Sequence, residues 1–408
     1  MIKSLEMKIL ELTSFVSSNA EKEDISFLDT DHVKVVQQFH QSIPHYEETP
    51  LVPLTNLAQK IGLHGFFVKD ESYRFGLNAF KVLGGSFAMG RYIAKKLGVD
   101  IKDLPFTKMV SPDVKAKLGP LTFVTATDGN HGRGVAWTAK QLGQKSVVYM
   151  PKGSSEERLK NIQAEHAEAS ITDLNYDDAV RLASKEANEK GWVMVQDTSW
   201  PGYQDIPHWI IQGYSTMAME AYQALPEKPT HIFIQAGVGA LAGAVTGFFA
   251  NVYKGQDKPI ITIVEPTTSD CIFRTAKAHD GTLHFVTGDM NSMMAGLNCG
   301  EPCDIGWRVL DSYADYAIAC EDFISAKGMR VLGAPLPGDR RIISGESGAV
   351  TSGLVVELMT NPAYAAYRDT LKLDATSTVL CFSTEGNTDK ANYNSIVWDG
   401  KESSYQKA

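Results

Sequence analysis

Residues 231–253 read HIFIQAGVGALAGAVTGFFANVY, an apolar strand-like run, a turn rich in glycine, and an apolar helix-like run. By hydropathy alone this stretch could be taken for a membrane span. Its four glycines, at positions 237, 239, 243 and 247, and its division into two pieces favour a buried strand, a turn and a buried helix instead. That order is one βα unit of a parallel sheet.

Similar patterns alternate along the rest of the chain. Strand-like runs begin near residues 64, 121, 146, 192, 261 and 377. Helical patterns occupy residues 78–97, 131–142 and 176–190, and each is followed by a glycine, the residue type that most often ends a helix. Strands that alternate with helices predict an α/β protein with open, twisted, mostly parallel sheets.

Four such units follow closely between residues 121 and 205. We therefore expect a small α/β domain over residues 121–205, inserted in a large domain formed by residues 1–120 and 206–408. The first 45 residues match no motif, and we expect them to pack on the core or on a partner subunit.

Composition excludes several classes of protein. The 408 residues carry a formal net charge of −9, which argues against a nucleic-acid binder or a protein of anionic membrane surfaces. Charged residues interrupt the first 19 positions, so no secretory signal is expected. The five cysteines have neither CxxC nor zinc spacing, which predicts reduced thiols in a cytoplasmic protein without a metal site. One disulfide, between Cys271 and Cys299, remains an alternative.

The glycine turn predicts a phosphate site. Glycines let a phosphate approach the backbone, and the first N–H groups of the following helix attract it. The residues expected to bind the phosphate are Ala236, Gly237, Val238, Gly239, Ala240 and Leu241. The same turn is similar to a dinucleotide fingerprint, with Glu265 at the end of the next strand, so a nicotinamide-dependent oxidoreductase stays open at this point.

Three other segments have the residue types of a catalytic site. Lys81 lies in Asn78–Gly85 between Phe80 and Val82, where burial is expected to lower the pKa of its amine and make it nucleophilic. The other two segments follow strands and read Thr127-Asp128-Gly129-Asn130-His131 and Ser383-Thr384-Glu385-Gly386-Asn387. Each alone has a simpler explanation, a surface lysine, a helix cap or a turn. Together they fall at the carboxyl ends of strands, where open α/β sheets bind ligands.

The four segments, in this order, resemble the motifs of the fold-type II pyridoxal-phosphate (PLP) enzymes over roughly residues 50–390. That resemblance implies two α/β domains, with PLP in the cleft between them. That family typically has a Ser-Ser-Gly-Asn-His turn and, near the C-terminus, a Ser-Gly-Gly-Asn turn. This chain departs from the first by a carboxylate at Asp128 and from the second by the turn Thr384-Glu385-Gly386-Asn387. Both departures resemble the branch that eliminates ammonia from 2,3-diaminopropionate. So does the segment Val195-Gln196-Asp197-Thr198-Ser199-Trp200. The products of such a reaction would be pyruvate and two molecules of ammonia.

The resemblance also implies roles for individual residues. Lys81 would hold PLP in a Schiff base and, once freed, remove the Cα proton of the L isomer, while Asp128 would serve the D isomer. Asn130 would bind the ring hydroxyl of PLP. Thr384, or Ser383 as the fallback, would face the pyridine nitrogen. Asp197 would recognise the second ammonium of the substrate, or simply cap a turn.

Three alternatives stay open at this point. A serine or threonine dehydratase would have the same fold, although Asp128 counts against it. A nicotinamide-dependent oxidoreductase would use the Gly237 turn, and a catalytically silent PLP-binding regulator would bind the cofactor without turnover. The resemblance further implies a homodimer that acts on a small amino acid, with no nucleic-acid or membrane partner.

Overall fold

The structure is a computed structural model that describes residues 10–17, 21–127 and 129–403. Within these ranges the strands are β1 (Leu10–Ser14), β2 (Leu51–Pro53), β3 (Gly65–Asp70), β4 (Thr122–Ala126), β5 (Lys145–Met150), β6 (Glu168–Ile171), β7 (Val193–Met194), β8 (His231–Gln235), β9 (Ile260–Pro266), β10 (Tyr316–Cys320) and β11 (Thr378–Ser383).

The α-helices of the same ranges are α1 (Thr30–Gln41), α2 (Thr55–Ile61), α3 (Val82–Leu97), α4 (Phe106–Met109), α5 (Pro112–Leu118), α6 (Asn130–Leu142), α7 (Glu156–Gln163), α8 (Tyr176–Lys190), α9 (Asp205–Ala224), α10 (Ala240–Val252), α11 (Cys271–Ala278), α12 (Asp304–Tyr313), α13 (Asp322–Gly333), α14 (Glu346–Thr360), α15 (Ala365–Leu371) and α16 (Lys390–Val397). Short 3₁₀ turns lie at Ser26–Leu28, Glu71–Gly76, Ile101–Asp103, Gly255–Asp257, Ala295–Leu297 and Pro362–Tyr364.

The strands form two open sheets. The larger sheet has the order β1-β10-β9-β8-β11-β3-β2, and the smaller has the order β6-β5-β4-β7. The smaller sheet is wholly parallel, whereas the larger is parallel except at its two edges, where β1 and β2 run antiparallel to their neighbours. Helices flank both sheets, so the predicted α/β class with mostly parallel sheets is confirmed.

The stretch 231–253 forms β8, a turn and α10, as predicted. Every residue of β8 is buried, as is α10 from Ala240 to Ala250, which explains why this helix has no polar face. No helix in the described part of the chain is long and apolar enough to cross a membrane.

Most predicted boundaries hold to within one or two residues, and the helices α3, α6 and α8 end at the predicted Gly98, Gly143 and Gly191. Two predictions were wrong. Helix α3 begins at Val82 rather than residue 78, because Asn78 has a φ of +62° and the residues after it form backbone hydrogen bonds with the turn that follows β11. The strand near 192 is reduced to β7, which has only two residues.

The described residues among the first 45 pack on the part of the protein that contains the larger sheet. Strand β1 pairs with β10 at the sheet edge, and α1 buries Val33, Val36 and Phe39. All five cysteines are buried free thiols, so the alternative of a disulfide between Cys271 and Cys299 is not realised here.

Candidate active site

A cavity of about 630 Å³ lies where the carboxyl ends of the two sheets face each other. From the larger sheet it is lined by the Gly237 turn after β8 and by Thr384 after β11. From the smaller sheet it is lined by Asn130 after β4 and Asp197 after β7. The convergence of these strand ends, predicted from the sequence, therefore produces one shared cavity.

Backbone hydrogen bonds fix the position of Lys81. The N–H of Phe80 donates to the carbonyl of Thr384 at 3.0 Å, and the N–H of Gly386 donates to the carbonyl of Asn78 at 2.9 Å. Ala79 and Glu385 form an isolated antiparallel bridge between the same two segments. The residues before Lys81 are therefore held against the turn after β11, and Lys81 follows them at the start of α3.

Lys81 Nζ donates a hydrogen bond to Oδ2 of Asp197 in the wall of the cavity. The Lys81 side chain is 20% exposed and that of Asp197 only 3%. Burial alone would lower the pKa of Lys81, but the Asp197 carboxylate outweighs it and the pKa is raised. Burial would likewise raise the pKa of Asp197, yet the Lys81 ammonium holds it at about 2.

This ion pair corrects the prediction that burial lowers the pKa of Lys81. The correction has a clear cause, because the opposite charge comes from a residue 116 positions away in the chain. Asp197 itself is not a simple turn cap. The hydroxyl of Tyr176, another residue of the cavity wall, points to its second oxygen at 3.5 Å.

The glycine turn has the features of an anion site. Gly239 has a φ of +92°, and α10 begins there without any side-chain hydrogen bond to its N-terminus. The first N–H groups of a helix have no partner within the helix, so they are suited to a phosphate. A Cβ on Gly237 would lie only 3.2 Å from Sγ of Cys299, so a larger residue would fill this part of the cavity wall.

Two residues of the predicted set contact other parts of the protein instead. The N–H of Ala236 donates to the carbonyl of Val264 at 2.9 Å within the sheet, so it is not free for a phosphate. The hydroxyl of Ser383 donates to Oγ of Ser344 at 2.8 Å. Neither residue lines the cavity, whereas Val238, Ala240 and Leu241 do.

Asn130 and Thr384 lie at the cavity surface. Nδ2 of Asn130 donates to Oε2 of Glu385 at 2.5 Å, and Oγ1 of Thr384 accepts a hydrogen bond from Nε2 of Gln235 at 2.9 Å. The cap expected at the start of α6 is not formed by Asn130, because Gly129 holds the cap position and provides no side chain. Asp128 lies outside the described residues.

Glu265 does not support a dinucleotide site. Its carboxylate accepts hydrogen bonds from the N–H groups of Ile272 and Phe273 at 3.0 and 2.6 Å, at the start of α11. The residue is fully buried, and burial raises the pKa of its carboxyl well above the usual range. A side chain used in this way cannot bind a ribose.

Sequence reasoning missed much of the cavity wall. Residues 288–293 and 295–299 line one side and residues 152–155 with Arg158 another. A signal existed for the first group, because residues 279–303 form a long connection whose only regular element is one 3₁₀ turn, and such connections are commonly functional. No comparable signal marks Arg158.

A lysine beside an uncapped helix N-terminus, in a cavity of this size, fits a cofactor that carries both an aldehyde and a phosphate. The model of the family described as pyridoxal-phosphate dependent enzyme matches residues 43–385. The fold and the site thus define a PLP-dependent enzyme of fold-type II, and its cofactor is pyridoxal 5′-phosphate.

Comparison with individual proteins narrows this class. The chain is 53% identical to the diaminopropionate ammonia-lyase of Salmonella typhimurium over 372 residues, which covers 90% of this chain and 92% of that protein. The holo structure of the Escherichia coli diaminopropionate ammonia-lyase superposes with a TM-score of 0.90 at 44% identity, covering 96% of this chain and 97% of that one. A structure of the same E. coli enzyme in complex with an aminoacrylate-PLP azomethine reaction intermediate superposes with a TM-score of 0.88 at 44% identity, covering 96% and 98%. The chain belongs to the diaminopropionate ammonia-lyase family and is a PLP-dependent lyase.

Proposed function

We propose that this enzyme eliminates ammonia from both enantiomers of 2,3-diaminopropionate and that the product hydrolyses to pyruvate and a second ammonia. PLP, when bound, supplies the electron sink that makes the Cα proton of an amino acid acidic. The protein must then supply a cofactor anchor, a base at Cα and a group that recognises the β-ammonium.

Lys81 provides the anchor and one base. Lys81 would hold the cofactor through its amine and, once that amine is free, would accept the Cα proton of the L isomer. The N–H groups of Gly237–Leu241 would hold the phosphate. Asn130 would bind the ring hydroxyl.

Asp197 provides the recognition of the second ammonium. Its carboxylate is almost fully buried, so it is stable only next to a cation. In the cofactor-free protein that cation is the Lys81 ammonium. When Lys81 becomes a neutral base, the β-ammonium of the substrate takes its place beside Asp197. The carboxylate keeps this group protonated, so it leaves as neutral ammonia.

Thr384 sets the state of the pyridine nitrogen. Its hydroxyl oxygen accepts a hydrogen bond from Gln235 at 2.9 Å, which leaves the hydroxyl proton for donation. A neutral donor of this kind does not require a protonated ring nitrogen, whereas a carboxylate partner would. The electron sink is then weaker, which favours prompt loss of the β group.

Asp128 is the base for the D isomer in this proposal. The support comes from the sequence, in which a carboxylate replaces the serine of the related Ser-Ser-Gly-Asn-His turn. Each enantiomer presents its Cα proton to one face only, so two bases are needed for two enantiomers.

The observation that carries the proposal is the ion pair between Lys81 and the buried Asp197 in the cavity wall. The test is pyruvate release by the PLP-loaded protein from each enantiomer of 2,3-diaminopropionate and of serine. We expect both diaminopropionate isomers to react with far higher kcat/KM than either serine isomer. A higher kcat/KM with serine or threonine would overturn the proposal in favour of a dehydratase.

We also propose that the chain works as a homodimer in the cytoplasm and that its two sheets correspond to two domains, residues 121–205 and the remainder. Five buried free thiols support a reducing compartment. The ring of Trp398, which is 82% exposed, is one candidate contact for a second subunit. All four strands of the smaller sheet lie between residues 122 and 194, which supports the domain boundary.

A further inference from the structure

Glu385 is held on several sides at the cavity surface. It follows Thr384 in the turn after β11, is only 3% exposed, and lines the cavity. Its Oε2 accepts the hydrogen bond from Nδ2 of Asn130 at 2.5 Å, and its Oε1 accepts one from the N–H of Ser347 at 3.0 Å. The carboxylate thus connects the turn after β4 to the N-terminus of α14.

These contacts determine which way the amide of Asn130 points. An amide has two N–H hydrogens and one carbonyl oxygen, and a carboxylate can only accept. The nitrogen of Asn130 therefore faces Glu385, and its second hydrogen remains available for another acceptor. A hydrogen bond to a charged acceptor is about twice as strong as a neutral one, so it holds the amide firmly.

The neighbouring Glu346 does not perform this task. Its Oε1 accepts a hydrogen bond from Nδ2 of Asn392 at 2.5 Å. Burial, and next the negative charge of Glu385, raise the pKa of Glu346 to about 7. Of the two buried carboxylates, Glu385 is the one that reaches Asn130.

We propose that Glu385 is a positioning residue that holds the Asn130 amide so that its second N–H is directed at the ring hydroxyl of PLP. The inference deepens the proposed function and rests on its assignment of Asn130.

The test is a double-mutant cycle read by PLP affinity rather than by turnover. The dissociation constant of PLP is measured by absorbance titration of the apoproteins of the wild type, Glu385→Ala, Asn130→Ala and the double variant. Since the proposed effect of Glu385 on PLP runs through Asn130, we expect Glu385→Ala to weaken PLP binding by about 10-fold, the scale of one hydrogen bond to a charged group. The double variant should bind PLP no more weakly than Asn130→Ala.

Conservative variants separate positioning from folding. Glu385→Gln keeps an acceptor oxygen and should restore most of the PLP affinity. Glu385→Met fills similar space without an acceptor and should reproduce the loss, which covers the case in which the alanine variant folds poorly. Thr388→Val is the matched control, since its hydroxyl lies 3.5 Å from Oε2 of Glu385 and should contribute little.

The bound cofactor provides a second readout. Its visible absorbance should shift in Glu385→Ala and Asn130→Ala alike, because both change the surroundings of the ring hydroxyl. Unchanged PLP affinity in Glu385→Ala, or losses that multiply in the double variant, would overturn the inference. A wild type that binds PLP normally but prefers serine would overturn only the proposed substrate.

Discussion

Replacing Asp197 by asparagine should remove the preference for a diamino substrate. The change keeps the size of a side chain that is 3% exposed and removes its charge. A hydrogen bond to a charged group contributes about 1.5–3 kcal/mol, so kcat/KM for 2,3-diaminopropionate should fall roughly 10- to 100-fold. Serine has no β-ammonium, so its kcat/KM should fall by a much smaller factor.

The pKa of Asp197 sets the conditions for this comparison. The pKa is lowered from 3.8 to about 2, so the stabilisation from the Lys81 pair is present above pH ~4 and lost as the pH falls through about 2. Assays near neutral pH therefore compare a fully ionised carboxylate with a neutral amide. The same argument predicts that thermal unfolding of the two apoproteins differs by a constant amount above pH ~4 and converges below it.

The assay is pyruvate release from diaminopropionate and from serine, measured for the wild type and Asp197→Asn loaded with PLP. Asp178→Asn is a matched control, because Asp178 is half exposed and pairs with Arg181 on the outside of α8. Equal losses on both substrates would refute the recognition role and leave Asp197 as a partner of Lys81 alone. No loss on either substrate would refute both.

Three further predictions concern the cofactor and the bases. Lys81→Ala should abolish turnover and the absorbance band of the bound cofactor, and retained turnover in the purified variant would contradict the role of Lys81. Gly239→Val places a β-branched residue at a φ of +92°, which costs on the order of 1–3 kcal/mol, and should weaken PLP binding about 10-fold. Gly255→Ala is the control, because Gly255 also has a positive φ but open space around it, and this variant should leave PLP binding unchanged. Tight binding of NAD or NADP by the wild-type apoprotein would count against the assignment of the turn to the PLP phosphate. Asp128→Asn should suppress pyruvate release from the D isomer by about 100-fold, the scale of a lost general base, and affect the L isomer less. Equal losses for both isomers would reduce Asp128 to a positioning residue, and no loss would make it a helix cap.

Local sequence patterns were sufficient for most of the fold. Apolar runs of strand length, helices closed by glycine, and the turn at Gly237 placed the central strands and the edge at which they form a site. The antiparallel strands at the two edges of the larger sheet were not predicted. One of these edges depends on β1 meeting β10 some 300 residues later, and a pairing of that range has no local signature.

The electrostatics of the site were the least predictable part. The surroundings of Lys81 in the sequence are apolar, and they suggested a lowered pKa. Its actual partner, Asp197, is brought close only by the packing of the two sheets. The contact between Asn130 and Glu385 has the same origin, since 255 positions separate the two residues.

The position of the cofactor is the most direct test of the whole scheme. The holoenzyme is reduced with borohydride, which fixes PLP to the lysine that carries it, and the modified peptide is mapped by mass spectrometry. Lys152 also lines the cavity, so the experiment decides between two real candidates. We predict the label on Lys81, in the peptide that contains Asn78–Gly85. A label on Lys152, or on any other lysine, would contradict the assignment of the active site.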